Sequence, residues 1–258
     1  MKYKNIGIIA SKESKAVVEK ERLIAKYNFI DCQGNSKIKP DLIIALGGDG
    51  LMLHSLHEYQ DLNVPIYGIN YGTVGFLMNS WSDDLMESIN KAKLEILHPL
   101  TMIATDINGK KHQYFAINDV SLLRQTYQTA KIKIEINGKV RIENLAADGV
   151  LVATPAGSTA YNSAIGGPII PFGSDSLTIT PISPFRPKNW RGALLPDKTN
   201  IKFEIINHQK RPVSATADYF EVRDVVTVEV MVDKSEDFKI LFDPDHSLEE
   251  RIIREQFL

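Results

Sequence analysis

Asp49 sits in Gly47-Gly48-Asp49-Gly50, at the end of the apolar run of residues 41–46. Glycines after a strand let the backbone approach a phosphate with its N–H groups and adopt positive φ. The spacing is neither the dinucleotide G-x-G-x-x-G nor a phosphate loop ending in Gly-Lys-Ser/Thr. Both of those present a loop without an acid. An aspartate at the tip repels phosphate unless a metal intervenes or the acid has its own task, such as accepting a proton from a hydroxyl. The bland alternative is a plain strand-to-helix turn with Asp49 as N-cap. From these four residues both readings stand open.

Residues 146–170, AADGVLVATPAGSTAYNSAIGGPII, form a second block. A strand over residues 150–154 runs into Pro155-Ala156-Gly157-Ser158-Thr159. A helix is expected from Ala160, ending at Gly166-Gly167-Pro168. Small residues and hydroxyls let a ligand reach the backbone, and Ser158 and Thr159 can cap the helix or bond a ligand. Tyr161 offers its ring or its hydroxyl. A plain capped helix closed by Gly-Gly-Pro is the alternative. Asn118-Asp119 interrupts an oily strand, and a buried polar pair needs partners in the chain or on a ligand. An amide beside a carboxylate suits a nucleobase edge or a ribose diol; a bulge or strand end is the other reading. Phe76 follows Gly68, Gly72 and Gly75, where it could stack on a base or belong to the core. His54 and His57 have no evident third metal ligand and read as surface histidines. Arg186 and Lys188, in a proline-rich loop, face either phosphate or solvent.

The elements that must position these residues divide into two textures. Residues 4–10, 41–46 and 64–69 read as buried strands, alternating with helical patterns over 15–27, 51–57 and 82–94. Ser82 is the expected N-cap of the last helix. This alternation predicts an α/β N-terminal domain with a parallel sheet over residues 1–98. From residue 101 to 232 strand follows strand. The alternation of Ile132, Ile134 and Ile136 runs into Asn137-Gly138, a strong hairpin signal. Residues 202–206 and 225–232 are further strands. A C-terminal β-rich, antiparallel, sandwich-like domain is expected over 99–235. Residues 236–258 form a terminal segment packing back on the first domain, with a short helix capped by Ser247.

The 258 residues are 43% hydrophobic, enough for one or two packed domains. Thirty basic against 32 acidic residues give a net charge of -2, unlike the basic face of a nucleic-acid binder. One cysteine, Cys32, excludes an intrachain disulfide and fits a reducing compartment. No run approaches a membrane span, and the first residues lack the apolar core of a signal peptide. A cytoplasmic protein with no membrane partner is expected.

Taken in order, GGDG, the glycines before Phe76, Asn118-Asp119 and the ADG…TPAGSTAY…GGP block resemble the NAD kinases, the bacterial ones in particular. The likeness runs through FDPDHSLEERIIREQF near the C-terminus. GGDG also occurs in diacylglycerol kinases, sphingosine kinases and phosphofructokinases; the second block separates these. The resemblance implies NAD bound in the crevice between the two domains. It implies transfer of a phosphoryl group from ATP, or in some members polyphosphate, to the 2'-hydroxyl of the adenosine ribose. A divalent ion, Mg²⁺ foremost, and a homo-oligomer, tetramer or dimer, are implied as well. Asp49 matches the family's proposed base and Gly50 the adjoining contact. Asn118 and Asp119 match its cofactor-contacting pair, where the second place is often glutamate. Asp148 matches the aspartate of its G-D-G. Ala156, Thr159, Ala160, Tyr161, Asn162, Ser163 and Ala164 match its nucleotide-contacting block, and Phe76 an adenine-side aromatic. Two positions depart from the pattern: Leu51 stands where the family usually has threonine, and Ala164 where many members have serine. The first bears on donor binding. Rival functions are a non-catalytic NAD-binding sensor and another GGDG kinase acting on a lipid or small molecule.

Overall fold

A computed structural model describes residues 2–34, 38–71 and 75–244. Among these the chain forms two compact units, one from residues 2–97 with 237–244 and one from 98–236.

The first unit is built on a six-stranded sheet. Its order is Ile30–Asp31, Ile6–Ala10, Leu42–Gly47, Ile66–Asn70, Phe238–Phe242 and Lys93–Leu97. The first five run parallel; the Lys93–Leu97 edge is antiparallel to Phe238–Phe242. Ile6–Ala10 and Leu42–Gly47 are buried at every residue, as strands covered on both faces must be. Helices Ser14–Tyr27, Asp49–Glu58 and Leu85–Lys91 make the connections.

The third helix corrects an expectation. It starts at Leu85, and Asp84 rather than Ser82 is the N-cap, its carboxylate accepting the Glu87 N–H at 3.1 Å. Asp and Ser cap comparably well, so composition alone did not choose between them. Leu94, read as helical, lies in the edge strand instead. The terminal helix expected around Ser247 lies outside the described residues.

Phe238–Phe242 enters the sheet beside Ile66–Asn70 and is fastened by side chains. Asn79 donates to the Gly68 and Leu241 carbonyls and accepts from the Asp243 N–H. The Tyr67 hydroxyl donates to Asp243 at 2.8 Å. Burial and that carboxylate push the Tyr67 phenol far above its ordinary range.

The second unit is a sandwich of two six-stranded antiparallel sheets. One runs Lys139–Ala147, Ala130–Ile136, Ile201–Ile205, Val225–Val232, Leu100–Asp106, Lys111–Ala116. The other runs Ala193–Pro196, Ser176–Ile182, Gly149–Ala153, Asp119–Arg124, Val213–Ala217, Phe220–Val222. The expected Asn137-Gly138 hairpin is present, with φ of 50° and 72°, the left-handed pair a two-residue turn requires.

Alternate residues of both sheets fill one apolar core that includes Leu100, Ile132, Val150, Phe203 and Val228. Phe203 is fully buried at its centre. Phe203→Ala is expected to lower unfolding free energy by about 3–5 kcal/mol in urea titrations, the cost of a lost aromatic plus its cavity.

Candidate functional site

In the first unit the Leu42–Gly47 strand delivers Gly47-Gly48 to the head of helix Asp49–Glu58. Gly47 is closely packed: a Cβ there would meet Leu51 Cδ2 at 2.7 Å and Ser11 Cβ at 3.3 Å, so the Leu51 side chain would have to shift. Gly48 and Gly50 differ. A Cβ on either meets no atom within 4 Å, and neither has positive φ. The expected left-handed glycines are absent from this turn, so Gly48 and Gly50 answer to neither backbone strain nor packing. They leave the strand end open to close approach.

Asp49 is the first helical residue and Gly48 is the N-cap. The capping reading is therefore corrected. The half-buried Asp49 carboxylate reaches across 27 residues instead. One oxygen accepts the Phe76 N–H at 2.8 Å and the other the Leu77 N–H at 2.9 Å. Gly75 completes the fit, since a Cβ there would lie 2.9 Å from Met78 Cγ and 3.3 Å from Asp49 Oδ1. Asp49, Gly50 and Phe76 are thus brought together, with Phe76 held through its backbone. The helix N-terminus favours the negative charge. These two amides orient the carboxylate, one on each oxygen.

In the second unit Asn118-Asp119 links the two sheets. Asp119 opens the strand Asp119–Arg124, which pairs with Gly149–Ala153, Asp119 opposite Ala153. The following block folds back on the pair. Thr154 donates its N–H to the Asn118 carbonyl and its hydroxyl to the Ile117 carbonyl, and accepts the Gly157 N–H. The block is a 3-10 turn, Ala156–Thr159, and a single helical turn, Tyr161–Ala164. Ala160 is its N-cap without a side-chain bond, so neither Ser158 nor Thr159 caps it.

The block divides by direction. Ala160, Tyr161 and Ala164 are exposed, Thr159 and Ser163 half-buried, and Ala156 buried. Ser158 and Asn162 are fully buried and bonded internally. The Ser158 hydroxyl accepts the Ile170 N–H and donates to the Pro155 carbonyl. Asn162 donates to the Ser158 and Pro168 carbonyls and accepts from Thr180. Its side chain is scaffold, although its place in the sequence block suggested a ligand contact.

Asp148 lies at the far end of Gly149–Ala153 from Asp119 and pairs with Arg124, Nε to Oδ1 at 2.6 Å. Tyr161 lies within electrostatic reach of both ends. Burial first, then the charges of Asp119 and Asp148, push its phenol upward. His54 lies beside Glu58, and the His57 and Phe238 rings meet edge to face. Among the described residues no group of three or more His, Cys, Asp or Glu could hold a metal ion.

Burial, reinforced by Asp218, pushes Asp119 up to about 7. A carboxylate whose folded pKa exceeds its unfolded one holds its extra proton only when folded. Between the ordinary carboxylate range and about 7 the fold therefore loses stability as pH rises. Asp119→Asn removes that dependence. Its stability relative to wild type is expected to rise from pH 4 to pH 7 and to level off above, as read by thermal melts across pH.

Sequence reasoning missed three residues here: Thr154, Arg124 and Asp218. Thr154 and Arg124 looked like ordinary strand residues. Asp218, between Ala217 and Tyr219, carried only the signal of a turn.

Among the described residues no helix is long and apolar enough to cross a membrane. Residues 8–93 match the family model for the ATP-NAD kinase N-terminal domain, and residues 117–242 the model for the ATP-NAD kinase C-terminal domain. The NAD kinase of Caulobacter vibrioides is 54% identical over 239 residues, covering 92% of this chain and 90% of that protein. That of Cereibacter sphaeroides is 50% identical over 259 residues, covering both chains fully. Among solved structures, yeast NADH kinase complexed with NADH superposes with a TM-score of 0.81 at 22% identity. That match covers 98% of this chain and 87% of the yeast one. An NAD kinase from Archaeoglobus fulgidus in complex with ATP gives 0.77 at 20% identity, covering 98% of each. These two share the fold. With both family models and full-length relatives at half identity, the chain belongs to the NAD kinase family.

Proposed function

We propose that the protein phosphorylates NAD on the 2'-hydroxyl of its adenosine ribose, giving NADP, with ATP as donor and Asp49 as general base. Family membership supports NAD as substrate. The observation that carries the base assignment is the Asp49 carboxylate, fixed by the Phe76 and Leu77 amides beside two open glycines. A base must be oriented before it can help, and contributes about 10²–10⁴-fold when it is. As the 2'-oxygen bonds to the γ-phosphorus, the bond from phosphorus to the ADP oxygen breaks and Asp49 takes the hydroxyl proton. Phosphoryl transfer is largely positioning and charge stabilisation, so no covalent intermediate is needed.

Gly50, Phe76, Asn118, Asp119, Asp148, Ala156, Thr159, Ala160, Tyr161, Ser163 and Ala164 contact the cofactor in this reading. Asn162 takes part only through its backbone, because its side chain is spent on the scaffold. The described residues supply no cage for a divalent ion. Mg²⁺ typically keeps several waters and binds through substrate phosphates; here the donor's phosphates would hold it, and it would offset their charge. Family membership alone supports a homo-oligomer, tetramer or dimer, and a cytoplasmic location.

Leu51 bears on the donor. It packs on Gly47 at the strand end, and its side chain offers no hydroxyl to a phosphate. The test is incubation with NAD, Mg²⁺ and either ATP or polyphosphate, with NADP read by an NADP-specific dehydrogenase. NADP formed with ATP supports the reading. NADP formed with polyphosphate alone reassigns the donor. No NADP from either, with NAD binding retained by calorimetry, makes the chain a sensor.

A further inference from the structure

We propose that Asp218 is a positioning residue: its carboxylate fixes the backbone of residues 117–119 so that Asn118 and Asp119 present their side chains to the cofactor. This rests on the cofactor reading of that pair.

Ile117 and Asn118 lie between the strand Lys111–Ala116 of one sheet and Asp119–Arg124 of the other. Leaving one ladder before joining the next, they must find other partners for their amides. Asp218 provides them. Its Oδ2 accepts the Ile117 N–H at 2.7 Å, and its Oδ1 accepts those of Asn118 at 2.9 Å and Asp119 at 3.4 Å. Its own N–H donates to the Asp119 carbonyl at 3.1 Å. Just past the strand Gly149–Ala153, Thr154 takes the Ile117 and Asn118 carbonyls. The backbone of the pair is held at both donors and acceptors. The side chains of Asn118 and Asp119, in contrast, make no hydrogen bond among the described residues. A pinned backbone carrying two unengaged polar side chains is the arrangement of a presented pair.

Turn chemistry does not account for an aspartate at 218. The residue opens the two-residue turn between Val213–Ala217 and Phe220–Val222 with φ 52°. Asparagine and glycine tolerate that conformation at least as well. An aspartate in a turn ordinarily bonds its own backbone two residues on. This one bonds amides about a hundred residues away. What the carboxylate adds over asparagine is acceptors on both oxygens, matched to three donors.

The charge has a second effect. Asp218 disfavours ionisation of Asp119, whose charge, like that of Asp148, also acts on the Tyr161 phenol. Removing the charge at 218 lowers the pKa of Asp119, which a purely structural turn residue would not do.

The test uses the full chain with Asp218→Asn and Asp218→Gly, both compatible with the left-handed turn. Each is measured for NAD affinity by calorimetry, KM and kcat, the pH profile of kcat/KM, and thermal unfolding. The expected result is a rise in the NAD KM of about tenfold or more with kcat changed far less. The KM for the donor stays as in wild type, and the acid limb of the profile moves to lower pH. Folded variants with wild-type NAD KM and pH profile overturn the inference, even if their melting points fall. If Asp119→Ala weakens NAD binding while both 218 variants do not, the inference fails alone. If wild type binds no NAD, the underlying reading fails.

Discussion

Asp49→Asn is expected to lower turnover by about 10²–10⁴-fold while NAD still binds and the chain still folds. The substitution keeps the shape and one acceptor oxygen but removes the basic site. It also sets an NH₂ group against either the Phe76 or the Leu77 amide, which both oxygens now serve. That unmet donor costs about 1–3 kcal/mol of stability, so melting points accompany the kinetics. Stability loss moves the fraction folded, whereas loss of a base moves kcat of the folded protein. Saturating-substrate turnover below the melting transition separates them. Near-normal turnover would leave the Asp49 carboxylate as a brace for residues 75–77 and nothing more.

The second large effect is expected at Gly157. A Cβ there would sit 2.1 Å from the Asn118 carbonyl oxygen, 2.4 Å from its carbon and 2.6 Å from its Cα. All three atoms are backbone, and that backbone is held by Asp218 and Thr154. Nothing nearby is a flexible side-chain tip that could swing aside. Overpacking a fixed site costs about 1–3 kcal/mol, occasionally more, and Gly157→Ala belongs at the upper end. Because the strain falls on Asn118 itself, NAD affinity is expected to fall together with stability. Urea titration and calorimetry on the same preparation check both. A variant with wild-type stability would mean that the two segments are not in contact in solution.

Much of this was legible in the sequence, for identifiable reasons. Strands buried on both faces announce themselves as unbroken apolar runs, and Ile6–Ala10 and Leu42–Gly47 did so. Asn137-Gly138 fixed a hairpin because few residues adopt its left-handed pair. Local signals failed where two residues compete for one role, as Ser82 and Asp84 did for a cap.

Direction was also invisible. Asn162 lies beside exposed Tyr161 in a block rich in small residues, and nothing local says that it points inward to Thr180. The tasks of Asp49 and Asp218 were hidden by distance. Asp49 looked like turn chemistry and Asp218 drew no reading, yet each spends its carboxylate on amides far along the chain. Tertiary hydrogen bonds of this kind leave no periodicity behind.

The chemistry itself is tested most directly by ³¹P NMR of the dinucleotide recovered after incubating the full chain with NAD, donor and Mg²⁺. The account predicts a new phosphomonoester resonance coupled to the H2' proton of the adenosine ribose, growing with time beside the unchanged pyrophosphate signals. A monoester on another hydroxyl, or no phosphorylated dinucleotide while NAD still binds, would contradict it.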